Sequence, residues 1–538
     1  MTSLKEASDP SYKTEKNSRL IGAIDIGTNS THLVVASIDV ELQTFSIDLT
    51  EKSSTRLGER DPDTGELTDI AMQRVVDTLI RFKAHAGSYK VEQLILAATS
   101  AVREAPNGQD LIKRIKEELD LSVELISGAE EARLIYLGVL SGMQFGEQPH
   151  FLVDIGGGST ELILGDSSDA RALTSTRVGA VRLQHELIKV EPMPKKRYEF
   201  VKTFIKGSLE PATDKILQRV KPGEVPAMIA TSGTAMAIGS LVAQNEGKLY
   251  SNLHGFKVSK NSLDQVIANI IRMTPSERRG LSAISEKRSE IIVPGALILQ
   301  ATMEMLGINE LFLSERALRE GLVVDWMSRN GLLEDRLGLQ SSIRQRTIIH
   351  QAHRFAVNQK RSERVANIAL NLYDHTLGLL HGDKGLGREL LWAASMLHAC
   401  GQHINISSYH KHSWYLIRNG ELLGYSQAEH LMVAAIARYH RKSLPKKRHE
   451  AWQSIASKAH RKIVLEMSLI LRLASALDKR PESVVESIIV SSNDSELTIE
   501  LVPEKAGQNL SLEEWSLSEC GSIVEECAGV TLRVATLG

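Results

Sequence analysis

Cysteine is the first scarcity of this 538-residue chain, which has only three. Cys400, Cys520 and Cys527 are too few and too unevenly spaced for a disulfide framework or a zinc ribbon, and they suit a reducing compartment, so the cytoplasm is expected. Long apolar runs are missing too. No stretch approaches the roughly 18 residues that a membrane span needs, and the opening MTSLKEASDPSYKTEKNSR is polar, so residues 1–19 read as a loose tail and no membrane span is expected. A composition of 42% hydrophobic and 24% charged residues excludes collagen-like, disordered and disulfide-scaffold classes. At about 150 residues per domain, the length favours roughly three or four domains.

Net charge is also nearly absent, at -2 from 64 basic and 66 acidic residues, which by itself suggests no polyanionic partner. The sum conceals three unlike segments. Residues 1–322 carry 38 Lys/Arg against 43 Asp/Glu, residues 323–482 carry 24 against 13, and residues 483–538 carry 2 against 10. Twelve of the 17 histidines also fall within 323–482.

The first 320 residues alternate short apolar strands such as LIGAIDI (20–26), HLVVASI (32–38), FLVDI (151–155) and ELILG (161–165) with amphipathic helices at 67–86, 109–119 and 129–141. This is the pattern of a layered α/β domain. From about 323 to 482 the strand signals stop and helix follows helix; the last 56 residues regain β-like segments and form a small α+β appendix.

An internal repeat carries most of the information. AIDIGTNSTHLVVA (23–36) lies over LVDIGGGSTELILG (152–165) without a gap, matching Asp25 to Asp154, Gly27 to Gly156, Ser30 to Ser159 and Thr31 to Thr160. Each copy is an apolar strand ending in an acid, a Gly/Ser/Thr turn and a second apolar strand. Small residues let backbone N–H groups approach a phosphate, hydroxyls add donors, and the strand-end Asp can face a cation. Thr28, Asn29 and Ser30 in one turn, and Gly156, Gly157, Gly158 and Ser159 in the other, are the expected cradle, with a cleft between two lobes. A third loop, ATSGTAMAIG (230–239), opens a helix and is weaker evidence.

These segments resemble the two phosphate loops of the acetate-kinase, sugar-kinase, actin and heat-shock ATPase superfamily. Together with TSAVREA (99–105), ISGAEEARLIYLGV (126–139) and SERALREGLV (314–323), they resemble the exopolyphosphatase and guanosine pentaphosphate phosphatase family. LHACGQHINISSYHKHSWYLI (397–417) and ARYHRKS (437–443) are similar to the helical third domain of its long members. The resemblance implies a two-lobed actin-like, duplicated ribonuclease-H-like α/β fold, an all-α HD-like domain and a small α+β C-terminal domain. The expected divisions are lobe I at 20–136, lobe II at 137–322, the basic helical domain at 323–482 and the appendix at 483–538. It also implies a homodimer.

A phosphohydrolase needs a cation, donors for the terminal phosphate, and a base to orient or deprotonate water. Asp154 and Glu161 bracket the second turn as hard oxygen ligands suited to Mg²⁺, or Mn²⁺, and the resemblance places the metal there. Asp25 is the symmetric candidate, but His32 stands where the second copy has Glu161. Ser127 and Glu130 fit a capping box, which leaves Glu131 free; by resemblance it aligns with the catalytic base, and Arg103 with the arginine that holds the terminal phosphate.

In the helical segment, His398 is followed by Ala399 where an HD metal site needs Asp, so an HD-like fold without HD catalysis is expected. His398, His403, His410, His412 and His440 read as core or surface histidines rather than ligands. Arg441, Lys442, Lys446, Lys447 and Arg448 form a basic cluster, read as a track for a long polyanion, with RNA binding left open. The expected activity is release of terminal orthophosphate from inorganic polyphosphate, with guanosine pentaphosphate hydrolysis as its rival. A kinase of the same superfamily and a non-catalytic polyphosphate- or RNA-binding protein are the remoter readings.

Overall fold

Ile21, Ala23, Ile24 and Ile26 are all buried, so the strand that carries them must lie mid-sheet with both faces covered. In the computed structural model, which describes residues 18–188, 190–247, 252–333, 343–383, 385–493 and 495–536, it does. The first sheet contains β1 (Ser18–Ile26), β2 (Thr31–Asp39), β3 (Thr44–Ser53), β4 (Gln93–Ala98) and β5 (Val123–Leu125), ordered β3-β2-β1-β4-β5. The second contains β6 (His150–Ile155), β7 (Thr160–Gly165), β8 (Ala170–Thr176), β9 (Ala227–Thr231), β10 (Lys257–Ser259) and β11 (Glu310–Leu313), ordered β10-β11-β9-β6-β7-β8. Apart from the added edge strand β10, the sheets correspond strand for strand. In both, the central strand pairs antiparallel with its hairpin partner and parallel with its other neighbour. The duplication read from two short segments therefore extends through both lobes of an actin-like α/β fold.

The chain divides into two compact units, Met1–Ile343 and Arg344–Gly538, and each of the four expected boundaries falls inside an element or a unit. Those at 136/137 and 322/323 fall inside the helices Gly128–Leu140 and Leu318–Arg329. Glycine is the reason. A β-carbon at Gly138 would lie 1.8 Å from the Ala317 carbonyl oxygen, and one at Gly321 would lie 1.8 Å from that of Leu134. Backbones in such contact bind the two helices into one layer. At the start, Ser18 and Arg19 belong to β1 rather than to a tail, and the Arg19 guanidinium covers the Trp326 ring at 4.6 Å. Residues 1–17 lie outside the described residues.

The second unit is built on helices Ile343–Arg354, Gln359–His375, Leu386–Leu397, Tyr409–Asn419, Gln427–Tyr439 and Lys458–Ala476. Its three-stranded sheet, β12 (Val485–Ser492), β13 (Glu496–Pro503) and β14 (Thr531–Thr536), and the helices Ser511–Ser518 and Gly521–Ala528 belong to the same compact unit. The appendix from 483 onward is thus joined to the helical core, where both of its short helices meet Lys458–Ala476. Among the described residues no helix is long and apolar enough to cross a membrane.

Three of the five singled-out histidines, His398, His410 and His440, are buried, while His403 is exposed and His412 partly so. His398 and His440 each place Nδ1 2.7 Å from a carbonyl oxygen, of Ser395 and Ala437 respectively. Burial pushes both imidazoles below their usual range, and burial with nearby Arg438 and Arg441 pushes His410 down to about 4. A free imidazole titrates near 6.5, so below that pH the unfolded chain takes up protons that the folded unit refuses. Stability is full above about pH 6.5 and is lost as pH falls toward 4. The melting temperature followed by tryptophan fluorescence should therefore drop between pH 7 and pH 5, since four of the five tryptophans (Trp392, Trp414, Trp452 and Trp515) lie in this unit. A flat profile would contradict the assignment.

Candidate active site

Both central hairpins close through the same bond. The Gly27 N–H donates to the Ser30 carbonyl at 3.1 Å, and the Gly156 N–H to the Ser159 carbonyl at 2.9 Å. The turns then meet across the cleft. A β-carbon at Gly158 would sit 2.5 Å from the Ser100 hydroxyl and 2.9 Å from that of Thr28, so only glycine lets the lobes approach this closely. Gly157 also abuts Thr28, while Thr28, Ser30 and Ser159 are buried and Asn29 and Gly156 partly so. The two expected halves of the phosphate cradle are brought together.

Cross-strand register decides which acids face that cradle. Asp154 lies opposite Glu161, and Asp25 lies opposite His32, so the second lobe is the richer in carboxylates. Glu161 is 1% exposed and accepts from the Ser175 hydroxyl at 2.7 Å. Glu131, 7% exposed, enters from the first turn of Gly128–Leu140, where Arg103 Nη1 donates to its Oε2 at 3.0 Å and to the Ile126 carbonyl at 2.8 Å. Ser127 caps the same helix by accepting the Glu130 N–H at 3.2 Å. The Glu130 carboxylate turns to Arg133 at 2.8 and 2.7 Å rather than closing a capping box, so it points to a different partner from Glu131.

These acids share one electrostatic field. Burial, then the charge of Glu131, pushes both Asp25 and Asp154 up to about 7, and Arg319 partly opposes the rise. Burial with Glu131 and Asp154 drives Glu161 well above the usual carboxylate range, and burial raises Glu131 against the pull of Arg103. Asp25 Oδ1 is buried and has no hydrogen-bond partner among the described residues.

A cavity of about 490 Å³ adjoins the first turn and was not anticipated. Asn29 and Ser30 border it together with Lys52, Arg81, Lys287 and Arg288, and among the described residues no Asp or Glu lines it. Burial and the charges of Arg288, Arg319 and Lys287 hold Lys52 down at about 8; burial, Arg319, Lys52 and Arg288 hold His32 down at about 2. Four cations gathered around one cavity mark a place for an anion. Sequence spacing gives no hint of this cavity, because its four cations come from distant segments. Arg319 lies inside the SERALREGLV motif, which was recognised but whose arginine was given no role.

A model of the Ppx/GppA phosphatase family matches residues 24–330, and one of its domain III matches residues 343–520. The chain belongs to the Ppx/GppA phosphatase family. It is therefore a hydrolase of phosphoanhydride bonds. A guanosine-5′-triphosphate,3′-diphosphate pyrophosphatase of Vibrio vulnificus (strain YJ016) is 29% identical over 486 residues, covering 90% of this chain and 92% of that protein. One of Pseudoalteromonas translucida (strain TAC 125) is 32% identical over 438 residues, 81% of this chain and 82% of that one. Among solved structures, an exopolyphosphatase from Cytophaga hutchinsonii is 27% identical with a TM-score of 0.53, covering 58% of this chain and 98% of its own. The Aquifex aeolicus family member is 26% identical with a TM-score of 0.51, covering 58% and 99%.

In this Ppx/GppA chain the basic cluster lies in the second unit, where Arg441 stacks on the Tyr409 ring at 4.7 Å and Lys442, Lys446, Lys447 and Arg448 are exposed. Within the first unit, a clasp joins the lobes. Arg182 donates to the Gly158 carbonyl at 3.1 Å from the second lobe and pairs with Glu104 of the first, whose other oxygen accepts from Ser100 at 2.8 Å. Glu104 and Arg182 thus set the spacing between Gly158 and Ser100. Replacing either by alanine should lower kcat/KM about tenfold, near 1.4 kcal/mol, with little further loss in the double variant. Additive losses would show that they act independently.

Proposed function

We propose that the cleft removes the terminal phosphate of a linear phosphoanhydride chain by attack of water, with guanosine pentaphosphate as the substrate and inorganic polyphosphate taken by the same site. One observation carries this reading: a buried carboxylate, Glu131, hydrogen-bonded to an arginine, is near enough for its charge to raise Asp25 and Asp154, which lead into two opposed phosphate-type turns. The whole-length relatives carry the nucleotide name, whereas the exopolyphosphatase structure covers 58% of the chain. This moves guanosine pentaphosphate ahead of the polyphosphate expected first.

In this reading the turns of Thr28–Ser30 and Gly156–Ser159 hold the terminal phosphate through N–H and hydroxyl donors. Arg103 swings part of its fork from Glu131 onto a phosphate oxygen. Freed of that contact, Glu131 takes a proton from the attacking water; the water oxygen bonds to phosphorus as the bridging P–O bond breaks, and the departing chain keeps the electron pair. Lys52, Arg81, Lys287 and Arg288 neutralise phosphates behind the reacting one.

A divalent cation fits the residues. Asp25 leaves a buried oxygen unpaired, and Asp154 and Glu161 are raised by burial and then by neighbouring carboxylate charge, the part that a cation would relieve. Among the described residues no three His, Cys, Asp or Glu side chains form a ready cage. Mg²⁺ is usually held by one or two carboxylates with water and phosphate oxygens as the remaining ligands, and the cross-strand pair Asp154 and Glu161 would supply them. When bound, it would neutralise charge on the transferring phosphate. In the second unit, Ala399 after His398 supports an HD-like fold without HD catalysis. Exposed Lys446, Lys447 and Arg448 would attract a polyanion at low salt.

Glu131→Gln should lower kcat by about 10²–10⁴-fold while substrate binding changes only a few-fold. Orthophosphate release, assayed side by side on guanosine pentaphosphate and long polyphosphate, should give the higher kcat/KM on the nucleotide. Near-wild-type turnover would remove Glu131 from the chemistry, and the reverse preference would restore polyphosphate as the main substrate.

A further inference from the structure

The second unit holds a cavity of about 860 Å³ that the interlobe reaction does not use. Its size is that of a small-molecule site. The lining is unequal in charge. Asp478 is already spent on Arg361 at 2.9 Å and Arg364 at 2.8 Å, which leaves Arg441, Lys442 and Lys479 on the wall against Glu519. Such a wall selects an anion.

Two further features narrow the anion. Phe355, Tyr409 and Trp515 give the cavity an aromatic side, with Arg441 stacked on Tyr409. His398 and His440 also line it. Burial keeps both neutral at pH 7, and because Nδ1 of each donates to a carbonyl, each Nε2 carries a lone pair. That of His440 accepts from the Tyr409 hydroxyl at 3.1 Å, and that of His398 is an acceptor at the cavity wall. An inorganic phosphate chain has no apolar face to set against Phe355, Tyr409 and Trp515. A nucleoside phosphate has one in its base, together with ring N–H and amino donors for such an acceptor.

We propose that this cavity is a second ligand site, for a nucleoside phosphate, with the phosphate on Arg441, Lys442 and Lys479 and the base against Phe355, Tyr409 and Trp515. The acidic C-terminal segment then has a role, because Trp515 and Glu519 come from it and complete the wall. The basic cluster divides as well: Arg441 and Lys442 serve the cavity, whereas Lys446, Lys447 and Arg448 are not part of its lining.

The test uses fluorescence polarisation of N-methylanthraniloyl-GMP on the full chain, in wild type and in the Arg441→Glu, Trp515→Ala and Arg103→Ala variants. Trp515 is 61% exposed, so its truncation should leave the fold intact, and an unchanged melting curve checks this. Saturable binding is expected in wild type and in Arg103→Ala, with affinity at least about tenfold weaker in the two cavity variants. Unlabelled GMP should displace the probe far better than inorganic tripolyphosphate. The proposal is overturned by absence of saturable binding, by equal affinity in all four proteins, or by loss in Arg103→Ala alone. Displacement by tripolyphosphate as effective as by GMP would also overturn it and make the cavity a phosphate-chain site.

Discussion

Carboxylates repel one another, and this protein holds Asp25, Glu131, Asp154 and Glu161 close enough for each to feel the charge of others in a cleft shielded from water. Such an arrangement survives only if the scaffold prevents the groups from moving apart. Two of them sit at the ends of central strands locked by ladders on both sides, one lies directly across a hairpin from its partner, and one rides on a helix clamped by backbone contact at Gly138 and Gly321. The duplicated sheets supply rigidity, and the glycine contacts supply proximity.

The same first unit separates charge by place. Acids gather at the strand ends, while Lys52, Arg81, Lys287 and Arg288 gather beside the first turn, and Arg319 is felt by both sets. A chain of phosphates entering such a site would meet cations along its length and carboxylates only at its reacting end. That polarity explains how one cleft can bind a polyanion and still present a base to water.

The sequence showed the hairpins, their in-register duplication, the Asp25/His32 asymmetry and the distinction between Glu130 and Glu131, because each depends on neighbours a few residues apart. The cationic cavity and the Glu104–Arg182 clasp stayed hidden, since they join residues that no local pattern links. Boundaries were not legible for a related reason: periodicity marks helices but cannot say that Gly128–Leu140 and Leu318–Arg329, nearly 200 residues apart, share one contact layer. Likewise, the return of β-like segments in the last 56 residues suggested a separate appendix, whereas packing joins them to the helical unit and places Trp515 on a cavity wall.

Mutually raised carboxylates are built into the cleft, and a bound cation would relieve their repulsion. Thermal unfolding of wild type and Asp154→Asn, each with and without Mg²⁺, tests this most directly. Without Mg²⁺, the variant should melt above wild type, because one repelling charge is gone; Mg²⁺ should raise the wild-type midpoint and leave the variant nearly unchanged. A variant that melts below wild type and still responds fully to Mg²⁺ would contradict the claim.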